Sequence, residues 1–560
     1  MTNRPSLPDR PGFVYANPIL PGYYPDPSAI RVGEDYYLVT SSFEYFPGVP
    51  LFHSKDLFNW TQLGHILTRR SQIDLRTRRS SSGIYASTLR HHDGQFYMIT
   101  TDVRGIGNFY VTAERPEGPW SDPIPLPHGN IDPSLFFDDD GRAYVTAQNG
   151  AGYESHIIQY EIDPATGEVL SEPAAIWRGD EGPWLEGPHL YKIRGRYYLM
   201  AASGGTSVDH REIIARGDNP YGPFEDKPEP FLTHRGLKDH PVQCLGHADL
   251  VEDARGDWWA VFLAMRPVEG GYSPLGRETF LAPVRWSEDG WPEIDNDEGR
   301  VTAGEKAVPV LSGERRETAD PTAGEKSRLA ESRGAAGSGD GQAAAAGRAA
   351  ANAPKEEASG EEVELRGGFG PQWAFLRDYE EARYDWSERP GSLALRGSRH
   401  SLDDEAAAAF ACLRQRHLRM ELSAALDYEP VREGERAGIA ARLNNRGHFF
   451  VGLALEGGRR VLLAELRDGE RLERAVILPR PPEGLLHLKL RADETGYGCA
   501  CSADGAEWTA ADFFAPVSAL SPEVNGGFTG VCVGLHASGA GEEASPAYYS
   551  RVRYAPRRQS

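Results

Sequence analysis

The chain has 560 residues, more than one small core requires, so two or more domains are expected. Its hydrophobic (40%) and charged (25%) fractions are those of a globular protein, and 62 glycines with 41 prolines suit turn-rich β structure. A net charge of −22 argues against a nucleic-acid or anionic-membrane partner, since both need a basic footprint. The opening MTNRPSLPDRPGFVY lacks the apolar centre of a secretory signal, and no run of about eighteen apolar residues occurs, so neither export nor a membrane span is expected. The five cysteines, Cys244, Cys412, Cys499, Cys501 and Cys532, are odd in number and form no CxxC pair; Cys499 and Cys501 share one face of a predicted strand, as core thiols do. A reduced, cytoplasmic protein is the expectation.

Residues 23–29 read YYPDPSA, with Asp26 held between Pro25 and Pro27; taken alone, the stretch reads as a turn. The rest of the N-terminal block changes that reading. Five apolar, strand-like runs each follow a short polar turn: DYYLVTSS, QFYMITTD, RAYVTAQN, RYYLMAAS and DWWAVFLA. Their first apolar residues are Tyr36, Phe96, Ala143, Tyr197 and Trp258, at intervals of 60, 47, 54 and 61 residues. No long helical period lies between them. Each interval therefore predicts a four-stranded blade, and five blades make a β-propeller.

Ten or eleven residues before each run, one slot recurs: Asp26-Pro-Ser, Ala86-Ser-Thr, Asp132-Pro-Ser, Glu186-Gly-Pro and His247-Ala-Asp. The first strand of a propeller blade borders the central channel, so a residue opening it can face the axis, and its free edge tolerates proline. Asp26, Asp132, Glu186 and His247, with Tyr85 just before the blade-two slot, are predicted to converge there. Burying like charges together is costly, so such a ring points to function. Crowded carboxylates also drive their pKa values apart, leaving one ionised and another protonated, which is what glycoside hydrolysis needs. No GxSxG elbow, phosphate loop, HExxH or paired CxxC competes with this signal. Tyr23, Tyr24, Phe43, Tyr45, Phe46, Tyr85 and Trp184 lie near the slots and could stack on sugar rings, although each also suits core packing.

The stretch NPILPGYYPDPSAIRVGEDYYLVTSSFEYFPGVPLFHSKDLFNW resembles the opening of glycoside hydrolase family 43, the β-xylosidase and α-L-arabinofuranosidase group. DPSLFFDDDGRAYV, EGPHLYK, GHADLVE and LGRETFLAPVRW continue the match in order, over roughly residues 15–300. The resemblance implies an exo-acting, inverting hydrolase that releases terminal α-L-arabinofuranose or β-D-xylose from hemicellulose-derived oligosaccharides. Carried over by position, it implies Asp26 as general base, Glu186 as general acid and Asp132 as the carboxylate that tunes and orients the acid. Arg277 would bond substrate hydroxyls, and Phe43, Tyr85 and His247 would line the sugar site. No cofactor is required, with room for a Ca2+ ion reached through water near His247. An inverting pair stands roughly 6.5–9.5 Å apart, a gap that opposed blades can supply. One departure stands out: many members carry Trp-Ala-Pro where this chain has Tyr85-Ala86-Ser87. That reshapes the sugar subsite and leaves the pentose open, although GIYASTLRHHDGQFYMITTDV leans toward the arabinofuranosidases.

Residues 312–362 lack aromatic side chains and read as a low-complexity linker between a propeller over 1–311 and a second domain over 363–560. In the second domain LRMELSAALDY, AGIAARLN, HFFVGLALEGG, RVLLAELRDG and LHLKLRAD alternate between turn signals, which predicts an antiparallel β-sandwich of jelly-roll type. The fold class is therefore all-β. FGPQWAFLRD and GFTGVCVGLHASG resemble the concanavalin-like domain that follows the propeller in xylosidase-type members, where a loop helps close the pocket. Phe528, in GFTG, is the candidate for that loop. Two other readings stay open: a non-catalytic carbohydrate-binding propeller, and a fructan-type retaining glycosidase. The expected partner is a xylo- or arabino-oligosaccharide, with no nucleic acid, no membrane, and room for a homo-oligomer.

Overall fold

The structure, a computed structural model, describes residues 14–294, 300–307, 363–539 and 544–557; the expected linker over 312–362 lies outside the described residues. Besides a two-stranded sheet of Val14–Asn17 and Gly304–Ala307, the N-terminal block folds into five antiparallel sheets, the blades. Each blade begins with a strand that carries one of the recurring slots: Ser28–Val32, Thr88–His92, Ile131–Phe137, Glu186–Ile193 and Gln243–Glu252. The apolar runs form the second strands: Asp35–Val39, Gln95–Val103, Ala143–Asn149, Arg196–Ser203 and Trp258–Met265. The five first strands pack side by side, and Ser28–Val32 against Gln243–Glu252 closes the ring. Apolar side chains fill the wedges between blades; Tyr36, Leu38, Trp259 and Val261, for example, join blade one to blade five. The N-terminal segment adds a clasp, because Asn17 exchanges hydrogen bonds with Leu281 (2.8 and 2.9 Å) on blade five.

The C-terminal block is a sandwich of an eight-stranded and a seven-stranded sheet, the second extended to eight by a propeller strand. Met420–Asp427, Leu485–Asp493 and Pro546–Pro556 face Arg436–Asn444, Gly447–Glu456 and Arg459–Asp468 across a core rich in leucine, valine and tyrosine. Cys499 and Cys501 sit in Gly496–Ser502 and face that core, and all five cysteines are buried and free.

The two blocks share more than a connection. The propeller's Tyr45–Phe46 adds itself to a sandwich sheet, with Phe46 opposite Phe375 and Tyr45 opposite Leu376. Beside this seam Glu44 and Arg442, both fully buried, stand 3.4 Å apart. Arg70 clamps Asp378 through two hydrogen bonds, at 2.5 and 3.0 Å. Tyr45 and Phe46 are therefore not sugar platforms, and Tyr23 and Tyr24 are likewise buried in packing clusters. A β-strand's period of two tells which face a side chain takes; it does not tell whether water or a second domain covers that face.

Candidate active site

The axial slots share one local device. Asp26, Asp132 and His247 adopt left-handed backbone, with φ of 55°, 53° and 53°, and Gly187, next to Glu186, has φ of 60°. For residues other than glycine this conformation costs on the order of 1–3 kcal/mol, and the surrounding ladder must hold it. Strand register slips at the same places, between Ile131 and Ser134, Glu186 and His189, and Gln243 and Asp249. Such bulges re-aim a side chain, here toward the channel. Proline beside Asp26, Asp132 and Gly187 fits strands that open on an unpaired edge. Gly187 is required for a second reason: a Cβ there would lie 2.7 Å from Nε2 of His247.

Asp26 is buried and tightly held. Ser41 donates its hydroxyl to Oδ2 at 2.5 Å, Nη1 of Arg277 donates to Oδ1 at 2.7 Å, and Nδ1 of His247 lies 3.7 Å from Oδ1. Burial alone would raise its pKa, but the Arg277 guanidinium, His247 and the Ser41 bond together bring it below the ordinary aspartate value. Glu186 behaves oppositely. Burial and the Asp26 charge push it up to about 7, with Arg277 only partly opposing. Asp132 is also raised, by burial and then by the charges of Glu186 and Asp26, although it accepts the N–H of Gly187. Burial also lowers His247, with the Asp26 charge opposing. The ring thus holds one ionised carboxylate and a neighbouring acid that keeps its proton near neutrality.

An aromatic wall stands beside this ring. Phe43 and Tyr85 lie 5.0 Å apart by ring centroids, and Phe528, on the sandwich loop after Pro522–Asn525, lies 6.0 Å from each. Arg277 ties wall to ring: Nη2 donates to the Phe528 carbonyl at 3.2 Å, and the guanidinium lies 5.6 and 5.7 Å from the Phe43 and Phe528 rings. Phe528 is 40% exposed, too open for a sandwich-core residue. A cleft of about 650 Å³ opens beside it, lined by Thr206, Val208, His240, Gln243 and Met265. Trp184, also exposed, packs over Gly205 at the neighbouring rim. The eight sequence-predicted site residues, Asp26, Asp132, Glu186, His247, Arg277, Phe43, Tyr85 and Phe528, form one connected cluster, of which Phe528 reaches the cleft.

Sequence reading missed Ser41, which steadies Asp26, and His210, which packs on Gly246, bonds Cys244 O at 3.1 Å and is lowered to about 4 by burial. It also missed a second ring one step deeper in the channel. There Asp249 accepts from Arg90 (2.9 and 3.2 Å), Ser28 (2.6 Å) and Tyr191 (2.6 Å), and Arg90 also lies 3.0 Å from Nδ1 of His189. A signal existed: Ser28 and Asp249 each stand two residues after a slot residue, the step that returns a strand to the same face.

Ca2+ takes six to eight oxygen ligands. The carboxylates that act on His247 are Asp26, committed to Arg277 and Ser41, and Asp249, committed to Arg90. This donor set does not suit direct Ca2+ binding. Among the described residues Asp403, His448 and Glu465 group closely enough to hold a metal, but Arg467 already pairs with Asp403, and Arg436 and Arg474 with Glu465.

The model described as "Glycosyl hydrolases family 43" matches residues 15–292, and that described as "Beta xylosidase C-terminal Concanavalin A-like domain" matches residues 366–555. A relative from Bacteroides ovatus, named "Non-reducing end alpha-L-arabinofuranosidase BoGH43B", is 37% identical over 94% of this chain and 92% of its own. A "Xylosidase/arabinosidase" from Butyrivibrio fibrisolvens is 36% identical over 94% of this chain and 96% of its own. Among solved structures, "Crystal structure of xylan beta-1,4-xylosidase from Bacillus Halodurans C-125" superposes with a TM-score of 0.81 at 32% identity, covering 97% of this chain and all of that one. On motif, fold and relatives together, the chain belongs to glycosyl hydrolases family 43 and is a glycosidase.

Proposed function

We propose that this glycosidase acts from non-reducing ends with inversion, removing a terminal α-L-arabinofuranose or β-D-xylose from a hemicellulose-derived oligosaccharide. The observation that carries this reading is the split of one acidic ring into a lowered Asp26 and a Glu186 raised to about 7. In the proposed step Asp26 accepts a proton from a water molecule as the water oxygen bonds to the anomeric carbon. The glycosidic C–O bond breaks on the opposite side, and Glu186 gives its proton to the departing oxygen. The products are a free pentose of inverted configuration and a shortened alcohol; Asp26 then returns its proton to solvent and Glu186 regains one. Arg277 keeps Asp26 ionised and offers donors to sugar hydroxyls, while Asp132, itself raised, accepts the N–H of Gly187 and so orients the strand that presents Glu186. Phe43, Tyr85 and Phe528 cover the apolar face of the sugar. We assign His247, whose Nδ1 lies 3.7 Å from Asp26 Oδ1, to orienting Asp26.

The stretch GIYASTLRHHDGQFYMITTDV leans toward arabinofuranose as the better substrate, as does the name of the relative from Bacteroides ovatus. The test is a paired assay on nitrophenyl α-L-arabinofuranoside and β-D-xyloside, with and without a chelator, with the first-formed anomer read by NMR. Turnover with inversion and no chelator effect is expected. Binding without turnover on any pentoside would favour a carbohydrate-binding module, and a retained anomer would favour a fructan-type mechanism.

A further inference from the structure

Three walls of the sugar pocket meet at Ser81, a residue with no part in the proton transfers. Ser81 is buried, with left-handed backbone at φ 61°. Its N–H donates to Oε2 of Glu44 at 2.9 Å, and Glu44 directly follows Phe43. Its carbonyl accepts the Tyr85 hydroxyl at 2.9 Å. Its own hydroxyl oxygen accepts the N–H of Phe528 at 2.8 Å. Each aromatic of the wall is therefore tied to this one residue, directly or through its chain neighbour, and the last bond runs from propeller to sandwich.

The loop that carries Phe528 is held on its other side by the sandwich. Nδ2 of Asn444 donates to Gly526 O at 2.9 Å, and the Thr529 hydroxyl donates to Leu443 O at 2.9 Å. Between these anchors Gly527, at φ 92°, passes so near that a Cβ would lie 2.7 Å from Oγ of Ser81. The close approach leaves room for glycine alone, and it sets the depth to which the loop enters the pocket. Glu44 is fixed in turn by the buried Arg442, so the propeller side of the contact is rigid as well.

We propose that Ser81 is a positioning residue: its hydroxyl latches the Phe528 loop of the sandwich over the sugar pocket, and so holds the site closed around a single terminal residue of a short substrate. The kinetic consequences rest on the glycosidase reading above; the latch itself does not. Ser81→Ala removes the hydroxyl and keeps the backbone bonds to Glu44 and Tyr85, so its fold should persist. Gly527→Ala attacks the same contact from the sandwich side and leaves the Ser81 hydroxyl in place.

The experiment measures amide hydrogen exchange at Phe528, the thermal midpoint, and steady-state kinetics on an aryl pentoside, a disaccharide and a longer branched oligosaccharide, for the full-length wild type and both variants. Both should exchange the Phe528 amide faster. Loss of one hydrogen bond at the wall should raise KM for the small substrates about five- to tenfold, with a smaller change in kcat. Preference should shift toward the longer substrate. A merely structural role would lower the thermal midpoint and leave the substrate-length preference where it was, which would overturn the proposal; unchanged exchange at Phe528 would overturn it too. Should the wild type turn over no pentoside at all, the functional reading falls instead, and calorimetric xylobiose affinity in the two variants then decides the latch: weaker binding supports it, unchanged binding overturns it.

Discussion

Two rings of side chains occupy one channel, built by the same strands two to five residues apart, and they solve opposite electrostatic problems. In the deeper ring Asp249 meets the Arg90 guanidinium, two hydroxyls and a histidine-bearing strand, and its charge is fully compensated. In the outer ring Asp26, Asp132 and Glu186 have Arg277 as their only guanidinium partner among the described contacts, and of the three only Asp26 accepts a hydrogen bond from it. A buried charge with a full set of partners behaves as structure. Carboxylates with too few partners must share their ionisation, and that is what separates an acid from a base. The fold supplies the positions; the count of cations in each ring decides what the position does.

The contrast can be broken residue by residue. Asp26→Asn should lower kcat by about 1,000-fold or more while the protein still folds, since it removes the outer ring's ionised member. Glu186→Gln should cost about 100- to 1,000-fold on an unactivated disaccharide and far less on a nitrophenyl pentoside, whose leaving group needs little protonation. Equal losses on the two substrates would remove Glu186 from the acid role. Glu186 acts only while protonated, so wild-type kcat/KM on the disaccharide should fall tenfold per pH unit above about 7. Asp26, lowered below its ordinary value, stays ionised through that range, so its limb lies at acid pH. Gly187→Ala should cost about 100-fold, because a Cβ meeting the His247 ring displaces the strand that presents Glu186. Arg90→Met, in the deeper ring, should strip about 3–5 kcal/mol from stability by denaturant titration, yet change the kcat of the folded protein by only a few-fold. Arg90→Met with Asp249→Asn should recover most of that stability; if it does not, the deeper ring is more than a compensated pair.

The outer ring was legible because its residues carry two signals at once: a fixed offset to a strand repeat, and a proline or glycine that marks an irregular strand start. The deeper ring was hidden because Ser28, Arg90 and Asp249 look like ordinary polar strand residues until the channel brings them together. The sandwich was readable as alternating strands, but its grip on the propeller was not. Tyr45–Phe46 resembles a propeller strand, and only pairing across more than three hundred residues of chain shows its partner to be Ala374–Leu376. Tyr23 and Tyr24 could not be told from Phe43 and Tyr85 in the same way; all four are aromatic residues near slots, and what sets Phe43 and Tyr85 apart is their ring contact with Phe528. Ser81 carried no signal, because a serine among serines in RRSSSG becomes a hub only through its partners, of which Glu44 and Phe528 are distant in the chain.

The most direct measurement is the titration of the Glu186 carboxyl by 13C NMR, identified by its loss in Glu186→Gln, in the wild type and in Asp26→Asn. The account predicts a midpoint of about 7 in the wild type that drops when the Asp26 charge is removed. A wild-type midpoint at the ordinary glutamate value of 4.5, unmoved by Asp26→Asn, would contradict it.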